Sequence, residues 1–146
     1  RKAVPDMTAN YARLSFAYLA AMTLKTGSVA LQDFTPKSLN DREILDAAAK
    51  VNVEINHITD PAEFVPQHVR AELIDGRELK ASIDVLFGSP AYPLTHQQHL
   101  EKFEKCVAFG LRYINAHQTA MGLIDLVDKL EDLTGCRELF ALAAGK

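Results

Sequence analysis

The segment PDMTANYARLSFAYLAAMTLKTG, residues 5–27, decides the fold because it contains the most apolar stretch of the chain, residues 15–24. Hydrophobic side chains lie on nearly all sides of a 3.6-residue period, which predicts one buried central helix. Gly27 predicts its end, since glycine readily adopts the left-handed conformation that closes a helix. The apolar stretch falls well short of the ~20 residues that cross a bilayer, so we expect a core helix and no membrane partner.

After this segment the pattern changes from helical to alternating. Residues 51–55, 69–73 and 79–85 each alternate apolar and polar side chains, which predicts three strands. Asp75-Gly76 separates the last two runs and predicts a hairpin with a bulged loop of odd length. We expect Leu73 to pair with Leu79, a register that places the apolar residues of both strands on one face.

Helical signals return on both sides of these strands. The predicted fold class is therefore α+β, a small antiparallel sheet of about three strands with helices packed on one face. The local signals are Thr35-Pro36 at a helix start, the N-x-x-E box of residues 40–43, the Thr95/Gln98 capping box, and helical periods over residues 120–133 and 137–144.

Composition excludes several classes of protein. The chain has 146 residues, 48% of them hydrophobic, which suits one globular domain. A net charge of -3 argues against a nucleic-acid partner. Cys106 and Cys136 lack ligand spacing, so we expect reduced core cysteines and a cytoplasmic location. Because Arg1 is neither an initiator Met nor part of a signal peptide, we expect an internal cut of a longer protein.

No motif in the sequence predicts a cofactor or a metal. The dinucleotide, P-loop, serine-hydrolase and zinc-protease patterns are all missing. His96 and His99 could reach one metal from a shared helix face, but their polar neighbours favour an exposed turn. The other histidines, His57, His68 and His117, are isolated and are interpreted as surface or loop residues.

Tyr18 lies midway along the apolar helix, where a buried hydroxyl needs a hydrogen-bond partner. One interpretation is a core tyrosine that donates to a backbone carbonyl. The other is a hydroxyl that faces a cleft and donates to a substrate carboxylate or relays a proton. Arg13, five residues earlier, fits a surface cation at the helix start.

Several strings in order resemble the MmgE/PrpD family. Residues 12–18, ARLSFAY, resemble its A-[KR]-F-S-x-x-Y segment, with Leu14 where Phe is usual. The likeness runs from about Pro5 to Leu142. The other matching strings are residues 33–35, 49–51, 75–77, 88–90, 93–95, 101–103 and 130–133.

The resemblance implies a cofactor-independent lyase or isomerase acting on small polycarboxylates. It implies that residues 1–146 are the C-terminal α+β domain of a longer homodimeric enzyme, whose N-terminal helical domain is absent and whose site lies between the two domains. Tyr18 then becomes the candidate catalytic residue and Arg13 the candidate substrate-binding residue. The family's catalytic His and Asp residues and its lysines lie upstream of the match.

Among the family's activities are 2-methylcitrate dehydration, cis-aconitate decarboxylation and iminodisuccinate epimerisation. We expect the dehydratase, although the residues that would distinguish these reactions are upstream. The alternative is a non-catalytic binding or assembly module.

Overall fold

The fold is described from a computed structural model, which covers residues 1–55, 59–60, 62–111 and 115–145. The chain divides into two compact units, residues 1–55 with 106–146 and residues 56–105. Helices together with a small antiparallel sheet confirm the α+β class.

The first part of the chain is helical. Its apolar segment forms two helices rather than the single helix expected, because Ser15 leaves the helical conformation and caps the second one. Gly27 ends that helix with φ +80°, as predicted. The elements in order are α1 (Ala9–Ala12), α2 (Phe16–Thr26), a 3-10 turn (Leu31–Phe34), α3 (Pro36–Leu39) and α4 (Arg42–Ala48).

The core of this part forms where α2 packs against α4. Tyr18 and Met22 of α2 and Ile44 of α4 are almost completely buried in one cluster. Pro36 begins α3 as expected, whereas the cap of α4 is Asp41 and not Asn40. The Asp41 carboxylate accepts from the N–H groups of Glu43 and Ile44, at 2.9 and 3.3 Å.

The last part of the chain contains α5 (His96–Gly110), α6 (Ala116–Asp128) and α7 (Arg137–Ala143). The predicted Thr95/Gln98 capping box is confirmed, with reciprocal hydrogen bonds of 3.2 and 2.8 Å. Gly122 of α6 packs so closely on α7 that a Cβ there would lie 2.9 Å from Leu142 Cδ2. Both cysteines are free, as expected for reduced cysteines. The prediction that they lie in the core is wrong, because both are exposed.

The second unit contains a hairpin of β1 (Gln67–Glu72) and β2 (Glu78–Ile83). Its register pairs Ala71 with Leu79, two residues away from the prediction. The reason is the turn: Leu73 N–H donates to the Arg77 carbonyl at 2.8 Å, and Gly76 adopts φ +85°. This odd-length loop closes earlier than expected, and a shift of two leaves the apolar residues on one face.

Two parts of the sheet prediction are wrong. The described sheet has two strands and not about three, since residues 51–55 form no strand despite their alternation. Within the described residues of this unit, no helix covers the apolar face. The evidence is the exposure of Val69, Leu79 and Ile83, which are 64, 54 and 53% exposed. Alternation therefore identified a face without specifying what packs on it.

The histidine predictions are confirmed wherever the structure describes the residue. His96, His99, His68 and His117 are exposed, as expected, whereas His57 lies outside the described residues. No helix in the described part of the chain is long and apolar enough to cross a membrane.

Candidate functional site

The candidate site begins at the break between α1 and α2. Ser15 is completely buried, and its Oγ donates to the Arg1 carbonyl oxygen at 2.9 Å. Ser15 Oγ also accepts from the Tyr18 N–H at 3.3 Å, and this hydrogen bond caps α2. Because the helix starts at Phe16, Tyr18 lies in its first turn, while Arg13 lies in the break just before it.

Tyr18 is fully buried, and its hydroxyl donates to the Asp33 carbonyl oxygen at 2.5 Å. The 3-10 turn that supplies this carbonyl is held by the Asp33 carboxylate, which accepts from the Ala30 N–H at 2.7 Å. Burial, followed by the Asp33 and Asp41 carboxylates, raises the pKa of Tyr18 above its ordinary value. The phenol is therefore neutral at pH 7, with its proton donated and a lone pair left on its oxygen.

This geometry is the one expected for a core tyrosine bonded to a backbone carbonyl. It leaves the catalytic role of Tyr18 a prediction, because the bond to Asp33 would have to open before the hydroxyl could donate elsewhere.

Arg13 is exposed, and its described contacts are with an aromatic ring and an amide. Its guanidinium lies 5.3 Å from the centre of the Phe34 ring, and Nη1 donates to Asn10 Oδ1 at 3.4 Å. Among the residues that the structure describes, Arg13 forms no salt bridge. Its charge is thus available to an anion.

Phe34 connects the two predicted site residues. Its ring lies 6.2 Å from the Tyr18 ring at 50°, while the Arg13 guanidinium lies over it. Sequence reasoning did not identify Phe34 as a functional residue. The signal that could have found it is its position in the family-like string of residues 33–35.

Other parts of the described chain offer less chemistry. The described residues contain no group of three or more His, Cys, Asp or Glu that could hold a metal ion. A shallow depression lies beside α4, lined by Pro5, Asn40, Arg42, Leu45 and Asp46. The surroundings of Tyr18 and Arg13 therefore remain the candidate site.

Comparison with known proteins agrees with the sequence resemblance. The family model for the MmgE/PrpD C-terminal domain matches residues 1–132. The chain is 30% identical over 137 residues to the cis-aconitate decarboxylase of Mus musculus and 27% identical over 140 residues to that of Homo sapiens. Each match covers 92% of this chain and 27% of the relative, so the chain spans about a quarter of the length of the curated relatives that it matches. The chain belongs to the MmgE/PrpD family, in the part described by the family's C-terminal domain.

Proposed function

We propose that this chain works as the C-terminal domain of a longer, cofactor-independent lyase that acts on small polycarboxylates. The observation that carries the proposal is the pairing, around one aromatic ring, of a shielded phenol with an arginine that has no acidic partner among the described residues. Family membership and the names of the two decarboxylase relatives support the reaction class.

The chemistry gives each residue a role. Loss of carbon dioxide breaks a C–C bond, and the electron pair left on carbon then takes a proton from an acid. Loss of water takes a proton from the carbon beside a carboxylate and expels a protonated hydroxyl. Both reactions need placed acids, bases and cations, so Arg13 would bind a substrate carboxylate and Tyr18 would donate a hydrogen bond or relay a proton.

The outer side of α2 supports a role as part of a larger protein. Phe16 and Leu24 are 68 and 78% exposed on α2, and Leu14 just before it is 60% exposed. Apolar side chains concentrated along one helix are typical of a surface that another body covers. We propose that this body is the N-terminal helical domain of a homodimeric, cytoplasmic enzyme.

Two reactions are the leading candidates. The resemblance favours 2-methylcitrate dehydration, whereas the two relatives favour decarboxylation of a substrate like cis-aconitate. A panel of tricarboxylates and aminodicarboxylates, offered to the full-length gene product, separates them: carbon dioxide release identifies a decarboxylase and new alkene absorbance identifies a dehydratase.

The test of the site is Tyr18→Phe in the full-length protein. Removal of a general acid or base lowers kcat by ~10² or more, so we expect a loss of that size. Tyr11→Phe is the matched control, because Tyr11 is a half-buried tyrosine of α1 that contacts Arg1 and lies outside the proposed site. An unchanged kcat in a folded Tyr18→Phe enzyme would refute the assignment.

The alternative is a non-catalytic binding or assembly module. It predicts that the full-length protein turns over no member of the panel. It also predicts that Tyr18→Phe lowers only the free energy of unfolding, through loss of the hydrogen bond to Asp33.

A further inference from the structure

We propose that Phe34 is a positioning residue that holds the Arg13 guanidinium ready for a substrate carboxylate. This inference rests on the proposed function. It gives Phe34, whose ring lies between Tyr18 and Arg13, a role of its own.

The first argument is the kind of contact that Arg13 makes. The Arg13 guanidinium lies over the Phe34 ring, 5.3 Å from its centre, in a cation–π contact that uses none of its N–H donors. Only Nη1 has a hydrogen-bond partner among the described side chains, Asn10 Oδ1 at 3.4 Å. A carboxylate can therefore approach the free edge and form the paired hydrogen bonds that arginine favours.

The second argument is that an acidic partner would defeat this purpose. A protein carboxylate bound to Arg13 would compete with the substrate for the same donors and neutralise the charge. The Phe34 ring, 5.3 Å away, restricts the guanidinium without occupying those donors. An aromatic support thus orders the cation and leaves it able to bind.

The third argument is that Phe34 is itself held in place. It is half-buried and packs against the N-terminal core, with the Tyr18 ring 6.2 Å away. Hydrogen bonds on both sides fix the turn, from Ala30 N–H to the Asp33 carboxylate and from Thr35 Oγ1 to the Gln32 carbonyl at 2.9 Å. The ring therefore gives Arg13 a firm support.

The test uses the full-length enzyme and the substrate that the panel identifies. Phe34→Leu keeps an apolar side chain but removes the ring. We expect KM to rise about 3- to 10-fold with kcat little changed, because the lost cation–π contact weakens binding and not the chemical step. Phe34→Tyr keeps the ring and should restore KM. Leu45→Ala, a half-buried residue on the same core, controls for destabilisation alone and should leave KM unchanged.

Arg13→Gln separates this inference from the proposed function. If Phe34 acts through Arg13, then Phe34→Leu raises KM in the wild type but not in the Arg13→Gln background. Equal effects of Phe34→Leu in both backgrounds, or an unchanged KM for Phe34→Leu while Arg13→Gln raises it, would overturn the positioning role alone. An Arg13→Gln enzyme with normal KM would overturn both the binding role of Arg13 and the support given by Phe34.

Discussion

The two ends of α2 hold their cations in different ways. Just before the first turn, Arg13 lies over the Phe34 ring without a described acidic partner. In the last turn, the Lys25 ammonium bridges Asp41 at 3.1 Å and Glu43 at 2.8 Å. The Lys25 charge is used within the fold, where it connects α2 to the start of α4, whereas no carboxylate in the described part of the chain pairs with the Arg13 charge.

This difference shows that a charge must be judged by its partners and not by its exposure. Arg13 is exposed, and the Lys25 side chain is 40% exposed, so accessibility alone would not separate them. The position of the Lys25 ammonium is explained by its ion pairs with two carboxylates, those of Asp41 and Glu43. For Arg13, the described structure supplies a support and no counter-ion.

The largest loss of stability should come from the core where α2 packs against α4. Ile44→Ala removes a side chain that is 2% exposed under α2, so we expect the free energy of unfolding to fall by about 2–5 kcal/mol in urea titration. Measured in the same way in this chain alone, where Leu24 is 78% exposed, Leu24→Ala should change it by no more than about 0.5 kcal/mol. Equal losses would mean that the packing of α2 on α4 contributes little.

The second largest loss of stability should come from removing Ser15, the N-cap of α2. Ser15→Ala removes a part-buried hydrogen bond to the Arg1 carbonyl and a buried one from the Tyr18 N–H, so it should cost about 1–2 kcal/mol. Ser28→Ala, an exposed serine beyond the other end, is the matched control and should be neutral. Urea titration of both variants measures the difference, and a neutral Ser15→Ala would show that the cap is dispensable.

A smaller loss of stability is expected at Gly27, the C-cap of α2. Gly27 has φ +80°, where a Cβ is strained even though no atom lies within 4 Å, so Gly27→Ala should cost about 1 kcal/mol. Gly135 has equally open surroundings and no positive φ, so Gly135→Ala should not destabilise the chain. The same cost at both glycines would assign the loss to something other than backbone conformation.

The smallest effect concerns the charges of the second end and depends on pH. The hydrogen bond from Lys25 lowers the pKa of Asp41, so the stability this carboxylate adds is present above about pH 4 and is lost as the pH falls through its lowered pKa. We expect thermal melts near neutral pH to give a higher Tm for the wild type than for Lys25→Met. This gap in Tm should close as the solution is made acidic. A gap that stays constant down to acid pH would contradict the ion pair's contribution.

Local signals predicted much of the helical structure. The Thr95/Gln98 box, Pro36 and Gly27 act within one turn of chain, so the residues themselves contain the information. The strand predicted at residues 51–55 failed because alternation cannot supply a partner strand. The hairpin register failed by two residues because the Ile74–Gly76 loop closes on Leu73 and Arg77.

The site was predicted less completely than the helices. Tyr18 and Arg13 came from a motif, but their common neighbour Phe34 lies far along the chain and contacts them only after the 3-10 turn folds back on α2. No local period connects residues so far apart in sequence. The partner of the Tyr18 hydroxyl could not be predicted either. Every residue has a backbone carbonyl, so the sequence does not show which one accepts the hydrogen bond.

The hydrogen bond between Tyr18 and Asp33 also makes the phenolic proton a natural reporter. A hydroxyl proton that is shielded from water and held by a carbonyl exchanges slowly, so it gives a separate proton resonance that exposed tyrosines lack. Its exchange rate measures how often the turn at residues 31–34 lifts from α2. Any substrate that draws the hydroxyl away from Asp33 would shift that resonance, which makes binding at Tyr18 visible without turnover.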